Sequence, residues 1–534
     1  MDCDPSDDSC DRGVLDPVDC ICKPAGTNQL ESIEIIPDDL SIEPGDSRQL
    51  LASGTFDSGD VVDVTRSVTW ASSDTNVVTV EDLSGVITGV AEGTSTISAS
   101  SGSVRGETTV IVVSSDEDEQ CGEDGCPPCS YCDEETGECI LGCLSNDDCP
   151  DGLACGEGQE CVEDGTGEVR GLWVTRWNYS SPAHIQTIFE NSERAGINTV
   201  FFQVRGQGDA YYDSAHEPWA NIGGAGFGQD PGWDPLALAL SEGAERGIDV
   251  HAWINAIPAW MGASPPPEST PRHKVLSNPE WLMVDSSGRR QQVGDSGYIA
   301  FSPGIPEVVD HIAAVVTDIV EKYPVAGVHL DYIRYIGRQF SHDPVSNQRF
   351  EAASASDPSL TRDDWQREQI NEVVRRSHEA VSVRPGVVLT AASWHNHNLD
   401  VFGSSGYRDY YQDAHAWLER GTVDALVPMN YFRLDSNPSF IPMADDHVAA
   451  AHASGRHVYM GVHVLGRGNA AERDDTGARM AENIEYSRSI GAHGTVLFAY
   501  PYLVENDLWD FLGQGVYGPP DPSIPAMPWL ECPE

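Results

Sequence analysis

Cysteine is absent from residues 162 to 531, although the 534-residue chain contains 14 cysteines. Thirteen of them precede residue 162, and the last is Cys532. A cytosolic enzyme would scatter a few cysteines along its length, whereas clustered cysteines are typical of disulfides formed in an oxidising compartment. The pattern predicts an exported protein of the periplasm, outer envelope or extracellular space. No signal peptide is visible, which predicts a removed leader, and a lipid anchor near Cys3 is an open alternative.

Basic residues are scarce: 31 bases stand against 85 acids, and three of the bases are lysines. The formal net charge of −54 repels phosphate, so no nucleic-acid partner is predicted and anionic membrane surfaces are expected to be poor partners. The acidity is strongest in residues 1–166, which carry 38 acids and 5 bases. It predicts a well-solvated surface, and a calcium-dependent segment is the alternative interpretation.

Several motifs are also missing. No run approaches the roughly 18 apolar residues of a membrane-spanning helix, so no transmembrane segment is predicted. No GxGxxG or phosphate-binding loop serves a nucleotide, and no GxSxG elbow presents a serine nucleophile. What is present is a core-forming composition, 40% hydrophobic and 8% aromatic. The length indicates about two to four domains.

Residues 28–114 alternate apolar and polar side chains along short segments separated by Gly, Asp and Ser turns. About seven short strands around the single Trp70 predict an all-β sandwich. The runs VTWASSD, GVITGV and GTSTI, which begin at residues 68, 85 and 93, make the segment resemble the bacterial immunoglobulin-like group 2 domain. The resemblance implies a spacer or adhesive module of an exported protein. Residues 1–27 are predicted to be a Cys- and Asp-rich linker or tether.

Residues 115–166 are acidic and contain nine cysteines between positions 121 and 161. Cys126, Cys129 and Cys132 have a spacing that a zinc site uses, but no histidine or second cysteine pair completes it. A small disulfide knot is therefore predicted. Because nine is odd, one partner must come from elsewhere, and Cys532 is the economical candidate.

Residues 167–515 alternate strand-like and helical patterns, and a Pro-rich tail follows at 516–534. The predicted strands are 170–175, 199–205, 249–255, 325–331, 387–393, 423–430, 457–463 and 494–499. The helical patterns between them include 234–246, 306–323, 365–381 and 476–490. Eight β-then-α units predict a (β/α)8 TIM-type barrel with insertions, and a doubly wound sheet is the alternative.

Chemistry in such a barrel takes place at the carboxyl ends of its strands. Trp and Tyr faces stack on sugar rings there, while Asn, His and Arg bond sugar hydroxyls. Eleven of the thirteen tryptophans fall in this domain, Trp173 being assigned to the core and Trp177 to a strand end. The predicted substrate-binding residues are Gln203, Arg205, Tyr212, His251, Trp253, Asn255, Arg334, Trp394, His395, Asn430, Tyr431 and Tyr500.

Two long runs, FQVRGQGDAYY at 202–212 and GVHLDYIRY at 327–335, resemble the bacterial glycoside-hydrolase-like family 10, a former domain of unknown function. Shorter runs such as VRGLWV at 169–174 and HAWIN at 251–255 continue the resemblance in order. Gly206 and Ile336 stand where the family motif has proline, and these loop changes leave every carboxylate in place. The resemblance implies a barrel enzyme acting on glycan, with members that cleave peptidoglycan strands after removal of their stem peptides.

Glycoside hydrolysis needs two carboxylates, one to protonate the leaving oxygen and one to attack or to activate water. Asp331 is the first candidate because it ends a buried strand at the barrel mouth, where Arg334 or Arg205 would keep it ionised. A purely structural ion pair is the alternative. Asp209 and Glu217 after the second strand are the candidates for the second catalytic carboxylate, and for each the alternative is to cap or orient that loop.

Histidines raise the question of a metal. His395 and His397, with His251 or His463, would suit zinc, but the implied chemistry needs none, so no metal and no cofactor is predicted. Hydrogen bonding to sugar hydroxyls is expected of His251 and His395 instead. The sequence thus predicts a glycoside hydrolase of cell-envelope glycan, with peptidoglycan strands and the cell wall as partners. The alternatives are an inactive glycan-binding protein and an adhesion protein built around the sandwich.

Overall fold

The computed structural model describes most of residues 30–112, residues 167–518 apart from 402 and 465–469, and residues 523–531. Between and before these it describes 13–15, 22–24, 130–132, 139–141, 143, 149, 153–155 and 161–163. Two compact units share the chain: one comprises residues 1–126 and 132–140, and the other residues 127–131 and 141–534.

The first unit contains the predicted β-sandwich. The described strands of the sandwich are Leu30–Ile36, Leu40–Ile42, Ser47–Gln49, Leu51–Phe56, Val61–Asp63, Thr69–Ser72, Val78–Val80, Val86–Gly89, Gly93–Ser101 and Val104–Val112. These ten exceed the expected seven because several are three-residue pieces. Trp70 is 2% exposed at the centre, and its Nε1 donates to the Thr65 carbonyl at 2.9 Å. The indole lies against Gly85, where a Cβ would come within 2.8 Å of the ring.

Disulfides join the described cysteines of the second unit before the barrel. Cys143 pairs with Cys155, and Cys149 pairs with Cys161, around a hairpin of Leu153–Cys155 and Cys161–Glu163. The disulfides in this segment agree with the predicted export. The side chains of the CxxCxxC run, the acidic run before it and Cys532 lie outside the described residues.

The second unit forms a closed barrel of eight parallel strands in sequential order, which confirms the predicted architecture. The strands are β1 Val169–Val174, β2 Thr199–Arg205, β3 Asp249–Asn255, β4 Gly327–Asp331, β5 Val388–Ser393, β6 Ala425–Pro428, β7 His457–His463 and β8 Gly494–Phe498. They read as nearly continuous apolar runs because both faces of a parallel barrel strand are covered. Each lies within a few residues of its predicted bounds.

Helices surround the barrel. The main ones are α1 Pro182–Arg194, α2 Pro235–Arg246, α3 Pro306–Lys322, α4 Arg362–Val381, α5 Ala414–Glu419, α6 Phe440–Ala453, α7 Ala470–Ser489 and α8 Tyr500–Asn506. Further helices are Lys274–Ser277, Pro279–Trp281, Pro344–Ser356, Gly406–Asp409, Trp509–Phe511 and Pro528–Glu531, with a π-helical turn at Leu512–Val516. Local chemistry sets the bounds of α2: Asp234 accepts from two backbone N–H groups, and Gly247 ends the helix at φ +64°. None of the described helices is long and apolar enough to span a membrane.

An insertion between β3 and α3 builds one side of the barrel mouth. It contains the strand pair Pro258–Trp260 and Ile299–Ala300. Loops at this end position functional side chains in barrel enzymes, so the insertion extends the wall of any site there.

Residues 523–531 close the amino end of the barrel. Met527 is 5% exposed and packs into the interior cluster of Trp173, Phe201 and Tyr459. The Glu168 N–H donates to the Ser523 carbonyl at 2.9 Å, and Trp529 Nε1 donates to the Asp424 carboxylate at 2.8 Å. This part of the predicted tail is therefore packed against the barrel.

Candidate active site

A cavity of about 260 Å³ opens at the carboxyl ends of the barrel strands. Its aromatic wall consists of Trp173, Trp177, Trp253, Tyr298, Tyr431 and Phe498. Its polar wall consists of Thr175, Arg176, Gln203, Asn255, Asp331 and Arg334, and Met261, Tyr332, Ala392 and Met429 complete the lining. Ring faces beside a few fixed polar groups are the surroundings that bind a sugar.

Asp331 ends β4 and reaches the cavity wall, although only 7% of the residue is exposed. The Tyr332 backbone N–H donates to its Oδ1 at 2.5 Å, and Arg334 Nη1 lies 3.6 Å from the same oxygen. Burial raises the pKa of Asp331 above its usual range, and Arg334 and the Tyr332 N–H only partly oppose that shift. Among the described residues lining the cavity, Asp331 supplies the one carboxyl group.

The chain turns sharply after Asp331. Tyr332 has φ +49°, a left-handed conformation that costs a residue with a side chain about 1–3 kcal/mol. The turn brings Arg334 back towards the strand end, where its guanidinium lies 4.3 Å from the Tyr332 ring centre and 5.2 Å from that of Trp394. The two rings hold the Arg334 charge beside the Asp331 carboxylate.

Two amides bridge the ends of β2 and β3. Gln203 Nε2 donates to Asn255 Oδ1 at 3.1 Å, and Asn255 Nδ2 donates to the Gly206 carbonyl at 3.0 Å. Gln203 Oε1 also accepts the Arg176 backbone N–H at 3.1 Å. These bonds fix which end of each amide carries the oxygen, so the wall is preorganised before any ligand enters.

Arg176 follows β1 and is 4% exposed. Its Nη2 donates to the Tyr298 hydroxyl at 2.9 Å, and its guanidinium lies 4.1 Å from the Trp177 ring centre. The guanidinium covers Gly206, where an added Cβ would meet Arg176 Cζ and Nη1 at 2.4 Å. A residue with a side chain at position 206 would have to displace this arginine.

Trp173, which lines the cavity, bonds His329 in the barrel interior. Trp173 Nε1 donates to His329 Nε2 at 3.1 Å, and His329 Nδ1 lies 2.9 Å from Thr390 Oγ1. Because the indole can only donate, His329 Nε2 must accept, so the proton lies on Nδ1. Burial, with His251 nearby, holds the pKa of His329 well below its usual range. The histidine is therefore a neutral part of the barrel interior.

Glu217 lies away from the cavity. Both of its carboxylate oxygens pair with Arg205 at 2.7 Å, and His311 Nε2 lies 2.9 Å from Oε1. Burial opposes ionisation of Glu217, but the Arg205 guanidinium and His311 outweigh it and hold its pKa well below the usual range. The Arg205 guanidinium also donates to the carbonyls of Asn255 and Ala256, so its hydrogen bonds are made inside this buried cluster. The structure therefore does not bring Glu217 or Arg205 to Asp331.

Asp209 also lies outside the cavity wall. It is 3% exposed, and its Oδ1 accepts the Gln207 backbone N–H at 3.1 Å. Such a bond between a side chain and the backbone two residues earlier orients the loop after β2.

The predicted site residues thus divide into two groups. The structure brings Gln203, Trp253, Asn255, Asp331, Arg334 and Tyr431 together in the cavity. It places Tyr212, His251, Trp394, His395, Asn430 and Tyr500 behind or beside the lining. His397 is part of a separate cluster, where its ring stacks 3.8 Å from that of His415.

Sequence reasoning missed several lining residues. Arg176 lies two residues after β1 and directly before Trp177, so the strand-end rule reached this loop but selected the neighbouring residue. Trp173 was assigned to the core, and it both packs in the interior and lines the cavity. Tyr298 and Met261 belong to the insertion after β3, whose path no sequence pattern indicates.

The chain belongs to the glycosyl hydrolase-like 10 family, whose model matches residues 168–470. The bacterial Ig-like domain (group 2) model matches residues 29–112. Both family matches agree with the resemblances that the sequence motifs indicated.

Two curated relatives are glycosyl hydrolases by name. The chain is 32% identical over 294 residues to glycosyl hydrolase DigH of Escherichia coli K12, which covers 49% of this chain and 65% of that protein. It is 26% identical over 368 residues to glycosyl hydrolase YngK of Bacillus subtilis 168, which covers 64% and 68%. The match thus spans slightly less than two thirds of the Escherichia coli relative.

Among solved structures, this chain is similar to the PgaB (BpsB) glycoside hydrolase domain of Bordetella bronchiseptica. The TM-score is 0.45 at 12% identity, and the likeness covers 65% of this chain and 99% of that domain.

Proposed function

We propose that this chain is an exported glycoside hydrolase that acts on cell-envelope glycan, specifically the glycan strands of peptidoglycan. The observation that carries the proposal is Asp331, a buried carboxylate with a raised pKa in an aromatic cavity at the carboxyl ends of the barrel strands. Family membership and the names of the relatives support the reaction class. The disulfides and the Ig-like domain support export.

In this proposal Asp331 acts as the nucleophile or as the base that activates water, and the leaving oxygen takes its proton from solvent, because the described lining residues offer no second carboxyl group. Trp253 and Tyr431 hold a sugar ring against the wall, and the bridged amides of Gln203 and Asn255 bond its hydroxyls. Arg334 stabilises the ionised form of Asp331, which this role requires.

The test is digestion of peptide-free glycan strands with purified protein, followed by mass analysis of the products. Asp331→Asn keeps the shape and removes the charge, so we expect a loss in rate on the order of 10³-fold or more in a folded protein. Asp318→Asn is the matched comparison, because Asp318 is also 7% exposed but lies on α3, outside the cavity wall. Wild-type turnover in folded Asp331→Asn would overturn the assignment of Asp331.

One observation favours a second candidate, a glycan-binding protein without hydrolytic activity. Hydrolysis uses two carboxylates, whereas Asp331 is the one carboxyl group among the described lining residues. Equilibrium binding of the same strands without any product would support this candidate over the hydrolase.

A further inference from the structure

The charges in the cavity wall do not balance. Among the described lining residues, two guanidinium groups, Arg176 and Arg334, face one carboxylate, Asp331. The two arginines are 4% and 7% exposed. Asp209, which is buried outside this lining, partly balances Arg176. The surplus cation therefore belongs to the surface that a ligand meets, where an anion would gain charge-assisted contacts.

Neither guanidinium uses all its donors within the described chain. The Nη1 of Arg176 is buried without a hydrogen-bond partner, and the Nη1 of Arg334 faces Asp331 Oδ1 at 3.6 Å, beyond hydrogen-bond distance. Arg334 has one ion pair, at 3.6 Å, and Arg176 has one side-chain hydrogen bond, to Tyr298. The Asp209 carboxylate acts on Arg176 only from outside the cavity wall.

Aromatic stacking fixes both cations in place. The Arg176 guanidinium lies 4.1 Å from the Trp177 ring centre, and the Arg334 guanidinium lies between Tyr332 and Trp394. The Tyr298 and Tyr332 rings contact each other at 5.4 Å and so connect the two arginine positions. Arginines held in this way lose little freedom on binding, and their planar forks suit a carboxylate.

We propose that the cavity selects a sugar that carries a carboxylate, and that Arg176 and Arg334 are the residues that recognise this group. Gly206 is a positioning residue in this scheme, because the Arg176 guanidinium occupies the space that a side chain at 206 would fill. The inference rests on the proposed function for its substrate class, since it names the part of the glycan that is recognised.

The experiment uses two forms of one substrate: peptide-free peptidoglycan strands, and the same strands after chemical reduction of their carboxylates to alcohols. Both kcat/KM and the dissociation constant are measured on the full chain. We expect the wild type to prefer the carboxylated strands on the order of tenfold or more, the effect of one charge-assisted contact. Arg176→Gln should abolish most of that preference, and Arg176→Lys should keep part of it.

Gly206→Ala tests the same point without removing the arginine. The new Cβ should displace the Arg176 side chain and reduce the preference, which is measured as the ratio of kcat/KM for the carboxylated and the reduced strands. Gly515→Ala is the matched control, since nothing lies within 4 Å of a Cβ at that position. Thermal melts of each variant show that the fold is intact.

The outcomes separate the two proposals. Equal kcat/KM and equal affinity for both forms would overturn the carboxylate inference and leave the hydrolase standing. Preference in binding without any cleavage would overturn the hydrolase and support carboxylate recognition. Preference for reduced strands, or an unchanged preference in both Arg176→Gln and Gly206→Ala, would overturn the roles given to Arg176 and Gly206.

Discussion

Arg205 and Glu217 form a two-point ion pair inside the protein, with side chains 1% and 0% exposed and both contacts at 2.7 Å. Removing one partner of such a pair leaves the other charge buried and uncompensated. Glu217→Gln should therefore lower the free energy of unfolding by about 3–5 kcal/mol. Denaturant titration measures this loss. Glu268→Gln, which breaks the exposed pair with Arg272, should leave stability nearly unchanged.

The Arg205–Glu217 ion pair also makes the free energy of unfolding depend on pH. The pKa of Glu217 is lowered in the folded state, so its contribution is fully present above the unfolded value of roughly 4.3 and is lost as pH falls below it. The stability difference between wild type and Glu217→Gln should therefore shrink in strongly acidic buffer. A constant difference from neutral to acidic pH would contradict this account.

Asp331 should show the opposite stability behaviour. Its pKa is raised in the folded state, which means that the folded protein holds the proton more tightly and loses stability as pH rises through that range. Asp331→Asn should melt at the same temperature as wild type or higher at neutral pH, and the difference should vanish in acid. Melting curves of wild type and Asp331→Asn at neutral and at acidic pH test this prediction. A variant that is less stable than wild type at neutral pH would indicate that Asp331 has a structural role.

Arg334 should set the acidic limb of the pH–rate profile. Because Arg334 opposes the raised pKa of Asp331, its removal should raise that pKa further. In Arg334→Gln, the pH at which kcat/KM reaches half its maximum should therefore move upwards from the wild-type value. An unchanged or lower midpoint would show that the rate does not report on Asp331.

Salt should help rather than hinder the binding of an anionic glycan. The chain's net charge of −54 repels an approaching anion over long distances, and salt screens that repulsion. Contacts with the buried Arg176 and Arg334 are screened much less. We expect KM for carboxylated strands to fall between low and moderate ionic strength and to change little for the reduced strands.

Met527 should contribute to the stability of the barrel. It is 5% exposed in the interior cluster, and truncation of such a side chain costs about 2–5 kcal/mol. Met527→Ala should lose free energy of unfolding in that range. Val383→Ala, at a side chain that is 59% exposed, is the control and should stay close to wild type.

The fold could be predicted from sequence because its periodicity is strong. Buried parallel strands give uninterrupted apolar runs, so all eight strands were placed, and the four helical patterns that were named by position correspond to α2, α3, α4 and α7. The strand-end rule then located Asp331, Trp253 and Asn255, since a strand's last inward-facing residues must line the mouth.

Loop residues could not be assigned in the same way. Glu217 and Asp209 follow β2 closely, but distance along the chain does not tell whether a loop turns a carboxylate into the mouth or back towards a buried arginine. Residues 523–531 were taken as part of a tail because prolines recur through 516–534, whereas Met527 and Trp529 have apolar surface that the barrel interior covers.

The closure of the barrel's amino end has a kinetic consequence. Residues 523–531 meet β1 and β6, and Ala526 contacts the disulfide cluster of Cys143 and Cys161. The contacts with β1 and with the disulfide cluster join segments more than 350 residues apart. Contacts between segments so far apart in sequence form only after the chain has lost much conformational entropy by closing a long loop, and this slows folding. The barrel should therefore pass through a state in which its strands are formed and its amino end is still open, exposing apolar surface that can associate with other chains until closure buries it.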